Sequence, residues 1–130
     1  MPRRPVPPSV AGVQRSLVVK ATSGADAPER CAQALTVSAT ALASGIAVSL
    51  WLTGEASWLA VPGHTVELPH SAPLHELRDA VLTGGTLTLC TQCALRRGIA
   101  EIDVLPGVRL AGAAVFVAEV TADGAQALVY

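Results

Sequence analysis

Short, β-branched or apolar runs alternate with helix-length stretches along most of this chain, and that alternation restricts its fold more than any other feature. Residues 16–21 read SLVVKA and end at Thr22-Ser23-Gly24, the pattern of a short buried strand followed by a turn. Asp26 and Pro28 then fit an N-cap and a first-turn proline. Leu35, Ala39, Leu42 and Ile46 recur at steps of four, three and four, which predicts an amphipathic helix over 27–44 with Gly45 ending it. A second strand is expected over 46–52. Residues 53–71 hold Gly54, Pro62, Gly63 and Pro69, so they form an irregular connection with room for a helical turn near Trp58.

Downstream, Leu74, Leu77, Val81 and Leu82 predict a helix over 73–82, followed by Gly84-Gly85 and a strand over 86–90. Residues 91–98 read as a short helix closed by Gly98, with Arg96 and Arg97 in the last turn where cations complement the helix dipole. Leu110, Ala113, Ala114, Val117 and Val120 fit a helical stripe over 110–120, and a terminal strand is expected over 127–129. Strands separated by helices in this way imply an α/β fold: a mainly parallel sheet with helices on both faces, whose ligands bind beyond the carboxyl ends of the strands. The reading divides the chain into a flexible, proline-rich tail over 1–15 and one domain over 16–130.

Charge and composition narrow the function. Nine basic and ten acidic side chains nearly cancel and aromatics are 3%, so neither the electrostatic footprint nor the stacking platform of a nucleic-acid binder is present. The uncharged run from Ala32 to Leu52 is long enough to raise the question of a membrane span. It carries Gln33, Thr36, Ser38, Thr40, Ser44 and Ser49 and breaks at Ser44-Gly45, so a helix followed by a buried strand is expected instead. The opening MPRRPVPPSVAGVQ is basic but lacks an apolar core, and three cysteines do not make a disulfide framework. A reducing, cytoplasmic setting is the expectation.

The stretch TLTLCTQCALRRG places two of the three cysteines where the 86–90 strand meets a helix. A cysteine there lies near unpaired amide N–H groups that favour a thiolate. Cys90 is thus the candidate nucleophile and Cys93, on the same side of the short helix, the candidate resolving or second thiol. Arg97, four residues after Cys93, adds positive charge, and Thr91, Gln92 and Arg97 form the candidate binding set. Free cysteine is also among the most buried residue types, and Cys31, one turn before Leu35, is read that way. Zinc needs a second ligand pair, which Cys31, His64, His70 and His75 do not supply, so no metal and no cofactor are expected. A thioredoxin-type redox pair shares the C-x-x-C spacing but comes early in its domain. One of His64, His70 and His75 could reach Cys90 if the long connection folds over the strand ends.

LCTQCALRRGI, preceded by a helix ending in TGG, resembles the signature of the DsrE/DsrF/TusD (YchN-like) family of small sulfur-handling proteins. LVVKATSGADAPERCAQAL, GIAVSLWLTGEASWL and LPGVRLAGAAVFVAEVTADGAQALVY extend the resemblance over nearly all of residues 16–130. It implies a flavodoxin-like three-layer α/β fold, assembly into homotrimers or hexamers, and sulfur carriage. In that scheme Cys90 matches the cysteine that takes sulfane sulfur from a protein donor as a persulfide and passes it to a protein acceptor. Cys93 matches a second cysteine present in part of the family, and Cys31 matches no assigned role. A thiol–disulfide protein using Cys90 and Cys93, or a non-catalytic oligomeric binding or scaffold module, remain the alternatives.

Overall fold

The computed structural model describes residues 15–130; the segment expected to be a flexible tail lies, but for Arg15, outside the described residues. Five strands, β1 (Ser16–Ala21), β2 (Ala47–Leu52), β3 (Thr86–Cys90), β4 (Arg109–Ala111) and β5 (Ala125–Val129), form one sheet in the order β4-β3-β2-β1-β5. Every pairing is parallel. Helices α1 (Pro28–Ala43), α2 (Leu74–Gly84), α3 (Thr91–Arg96) and α4 (Ala113–Val120) make the connections, with 3-10 segments at Gly54–Ala60 and Glu101–Asp103.

The two faces of the sheet differ in kind. Val19, Ala21, Leu50, Leu52, Leu87 and Leu89 point to one side and join Cys31, Ala34 and Leu35 of α1 and Val81 of α2 in the main core. Strand alternation sends Val18, Lys20, Ser49, Trp51, Thr88 and Arg109 to the other. That second face is polar and is clamped by α4. Glu119 of α4 accepts hydrogen bonds from Ser49 Oγ (2.6 Å) and Trp51 Nε1 (3.0 Å) and pairs with Arg109. Arg109 Nε in turn donates to Thr88 Oγ1 at 2.9 Å, while Phe116 packs edge-on to Trp51 at 5.3 Å.

Burial alone would push the Glu119 carboxyl up, but the bonds from Ser49, Trp51 and Arg109 outweigh it and hold the group below 4.5. A depressed carboxylate contributes stability above its unfolded pKa and loses it as pH falls through the folded value. Glu119→Ala is therefore expected to cost about 2 kcal/mol at neutral pH, given that the site is partly solvated. Thermal melts should show the gap between wild type and variant closing as pH drops below 4.5; a gap that is constant with pH would refute the ionic clamp.

Three local expectations change. The helix expected over 110–120 begins only at Ala113, because Leu110 and Ala111 belong to a strand in which Arg109 pairs with Thr88, Leu110 with Leu89 and Ala111 with Cys90. Asp26 does not cap α1. Ala27 holds the N-cap position without a side-chain bond, and Asp26 Oδ1 instead accepts from the Gly24 N–H at 2.8 Å, closing the preceding turn. The last strand starts at Ala125, two residues earlier than its apolar pattern suggests. Gly45, at φ +84°, ends α1 in the left-handed conformation expected of it.

Candidate functional site

Cys90 ends β3 and occupies the N-cap position of α3 at φ −62° and ψ 124°. Alternation along β3 puts it on the same face as Thr88, at the carboxyl edge of the sheet and beside Ala111 of β4. It is half-buried. Its side chain closes no cap bond. Burial pushes the Cys90 thiol up, yet the N–H groups of Cys93 and Gln92, the Cys93 thiol and the charge of Lys20 together bring it below the ordinary value of 9.0. These amides occupy the second and third positions of α3, where an N-cap oxygen would find its donors. A sulfur that gains charge there gains acceptor strength in the same place.

Cys93 is also half-buried, and its Sγ accepts the Gly54 N–H at 3.4 Å. The Cys93 thiol is also one of the groups that favour the Cys90 thiolate. Arg97 donates from Nη1 to the Cys93 carbonyl at 3.2 Å and from Nε to Glu55 at 2.9 Å. The guanidinium thus fastens α3 to the 3-10 segment, and the positive charge that reaches Cys90 comes from Lys20 of β1 instead. Gln92 contributes its backbone N–H, and both Gln92 and Thr91 are exposed at the start of α3.

The floor of the site is two interlocked loops. A Cβ on Gly54, which sits at φ +52°, would lie 2.5 Å from the Thr22 carbonyl oxygen, and one on Gly24 would lie 2.5 Å from the Glu55 carbonyl oxygen. Only glycine permits this backbone-to-backbone approach, which carries Gly54 under Cys93. Cys31 lies elsewhere, in the core under α1 at 1% exposure, and its thiol is pushed up to about 11 by burial and then by Asp26. Its reading as a buried apolar residue agrees with that position.

The long connection does not bring a histidine to the thiols. His64 stacks on Trp58 with ring centroids 4.8 Å apart, His75 lies in the first turn of α2, and no histidine is among the groups acting on Cys90. Sequence reasoning missed Lys20 and Gly54. Lys20 had a signal: it is the one charged residue within an otherwise apolar strand run. Gly54 had none, because its contact is with a residue of another loop.

An all-parallel three-layer α/β sheet of the flavodoxin-like kind, with a half-buried thiol pair at the carboxyl end of an inner strand, defines a class of small thiol-bearing α/β proteins. Within that class the comparisons are specific: the DsrE/DsrF-like family matches residues 15–129, and the chain belongs to that family. The crystal structure of YchN protein from E. coli superposes with a TM-score of 0.75 at 16% identity, covering 90% of this chain and 100% of that one, a likeness of fold. No curated protein matches the chain.

Proposed function

We propose that the protein carries sulfane sulfur as a persulfide on Cys90. The observation that carries this reading is a half-accessible thiol whose pKa is brought down by the amides of Gln92 and Cys93 and by Lys20. Exchange at sulfur needs an ionised attacker and an accessible sulfur. In loading, the Cys90 thiolate attacks the outer sulfur of a donor persulfide and forms the new S–S bond. The donor leaves as a thiolate with the electron pair of the old one. Unloading is the same displacement by an acceptor thiolate.

Membership of a sulfur-handling family supports the assignment. Leu95 of α3 is 73% exposed and Ile102, in the following 3-10 segment, 91%; exposed apolar side chains on the elements that follow the thiols suit docking of protein donors and acceptors. Val117 of α4 and Val129 of β5, 54% and 65% exposed, suit self-association into a homotrimer or hexamer. No helix among the described residues is long and apolar enough to cross a membrane. Chemistry that depends on free thiols belongs in a reducing compartment such as the cytoplasm.

A second reading, thiol–disulfide exchange between Cys90 and Cys93, is favoured by the placement of two half-buried free thiols three residues apart at the start of α3. Intact-mass measurement of the reduced protein after exposure to a small persulfide donor separates the two. One added sulfur per chain, mapped to residues 86–96, is expected for the carrier. A product lighter by two hydrogens in wild type, with no sulfur added to Cys93→Ser, would replace the carrier with the redox pair.

A further inference from the structure

Among the described residues two cations stand on strands of the sheet, Lys20 of β1 and Arg109 of β4, and Arg109 is neutralised by Glu119. Lys20, by contrast, forms no ion pair among the described residues. It stands on the same polar face as Thr88 and Cys90, in the row where Lys20 pairs with Trp51 and Trp51 with Thr88. Its ammonium is held 5.0 Å from the centroid of the Phe116 ring, and Phe116 is fixed in turn against Trp51. An aromatic face at this range attracts a cation without neutralising it. The arrangement therefore keeps a full positive charge, half-buried and restrained, in a place where solvent screens it only partly.

We infer that Lys20 is a positioning residue for anionic sulfur, its restrained ammonium supplying the counter-charge first to the Cys90 thiolate and then to the persulfide anion formed on it. The persulfide part of the inference rests on the proposed carrier function; the thiolate part does not. Other charged or titratable groups facing Cys90 cannot take over the role. Cys93 brings a thiol from α3, Arg109 and Glu119 cancel each other across β4 and α4, Arg97 is occupied by Glu55, and Arg96, in the last turn of α3, is exposed and is not among the charges acting on Cys90. Lys20 also makes Phe116 an indirect contributor, since the ring sets where the ammonium sits.

The test follows Cys90 alkylation against pH on the full chain, resolved residue by residue by mass mapping, for wild type, Lys20→Met and Lys20→Arg. Lys20→Met is expected to raise the midpoint by about half a pH unit and slow the reaction at neutral pH about threefold, as for a partly screened counter-charge. Lys20→Arg should restore both values. Persulfide loading from a small donor should fall by a similar factor in Lys20→Met and recover in Lys20→Arg. An unchanged midpoint in folded Lys20→Met would overturn the inference. Should that variant not fold, salt replaces it: added salt should raise the wild-type midpoint, and a salt-independent midpoint would equally overturn it. If wild type takes up no sulfur while the Lys20→Met midpoint still moves, the carrier function fails and the thiolate role of Lys20 stands.

Discussion

Cys90→Ser is expected to reduce sulfur loading to background while leaving the fold intact. Serine is close in size, and Cys90 is half-buried at a strand end, so little packing is lost. The hydroxyl, however, does not ionise near neutral pH and forms no persulfide, so the donors at the start of α3 have no nucleophile to activate. Cys93→Ser should behave differently. Loading on Cys90 persists, and the persulfide survives longer. The reason is that Cys93 can attack the inner sulfur of the loaded Cys90, forming the Cys90–Cys93 disulfide as hydrosulfide leaves with the electron pair of the broken bond. Cys93 stands three residues on from Cys90 in α3, with the Gly54 N–H donating to its sulfur. Time courses of intact mass for the two variants check the pair of outcomes. Full loading of Cys90→Ser would move the carrier to another thiol and remove the basis of the proposed function.

Gly54→Ala should lower stability by about 3 kcal/mol, combining the cost of a left-handed non-glycine residue with a forced shift of backbone. The added methyl meets the Thr22 carbonyl oxygen, which belongs to the turn after β1 and cannot rotate away as a side-chain tip would. Gly63→Ala provides the control, because Gly63 sits at φ +84° with nothing within 4 Å of an added methyl and so bears the conformational cost alone. Thermal melts should show roughly three times the loss for Gly54→Ala, about 10 °C for a domain of this size. Equal losses would mean that the loop contact is loose. Retreat of the 53–54 backbone would also withdraw the Gly54 N–H from Cys93, so the surviving folded fraction should show altered Cys93 alkylation.

The features the sequence announced were those decided locally. TLTLC followed by a glycine-terminated basic helix placed β3, α3 and both thiols correctly, because strand alternation and the helix stop are properties of adjacent residues. SLVVKA and the α1 stripe were legible for the same reason. β4 was not. Three residues beginning with an arginine show no alternation, and Arg109-Leu110-Ala111 becomes a strand only because β3 offers an edge and Glu119 a partner for the guanidinium. Asp26 looked like a helix cap and closes a turn instead, since either use satisfies a short carboxylate with a backbone N–H. At the site, the thiols were visible and their surroundings were not: Lys20 is about seventy residues from Cys90 in sequence and comes to share its face of the sheet only through strand order.

Sheet order also sets a schedule for assembly. β1, β2 and β3 can join in succession as neighbours in the chain, each through its own crossover, but β5 must return past all of them to reach the far edge of β1. The bond from Thr22 Oγ1 to the Tyr130 carbonyl closes a loop of 108 residues. Contacts of such separation form late and slowly. Until then β1 presents an open strand edge of Leu17, Val18 and Val19, a ready template for pairing with another chain. A lysine interrupting that apolar run is the kind of charge that discourages such pairing. The side chain that serves the sulfur in the finished molecule thus also guards the nascent one against aggregation.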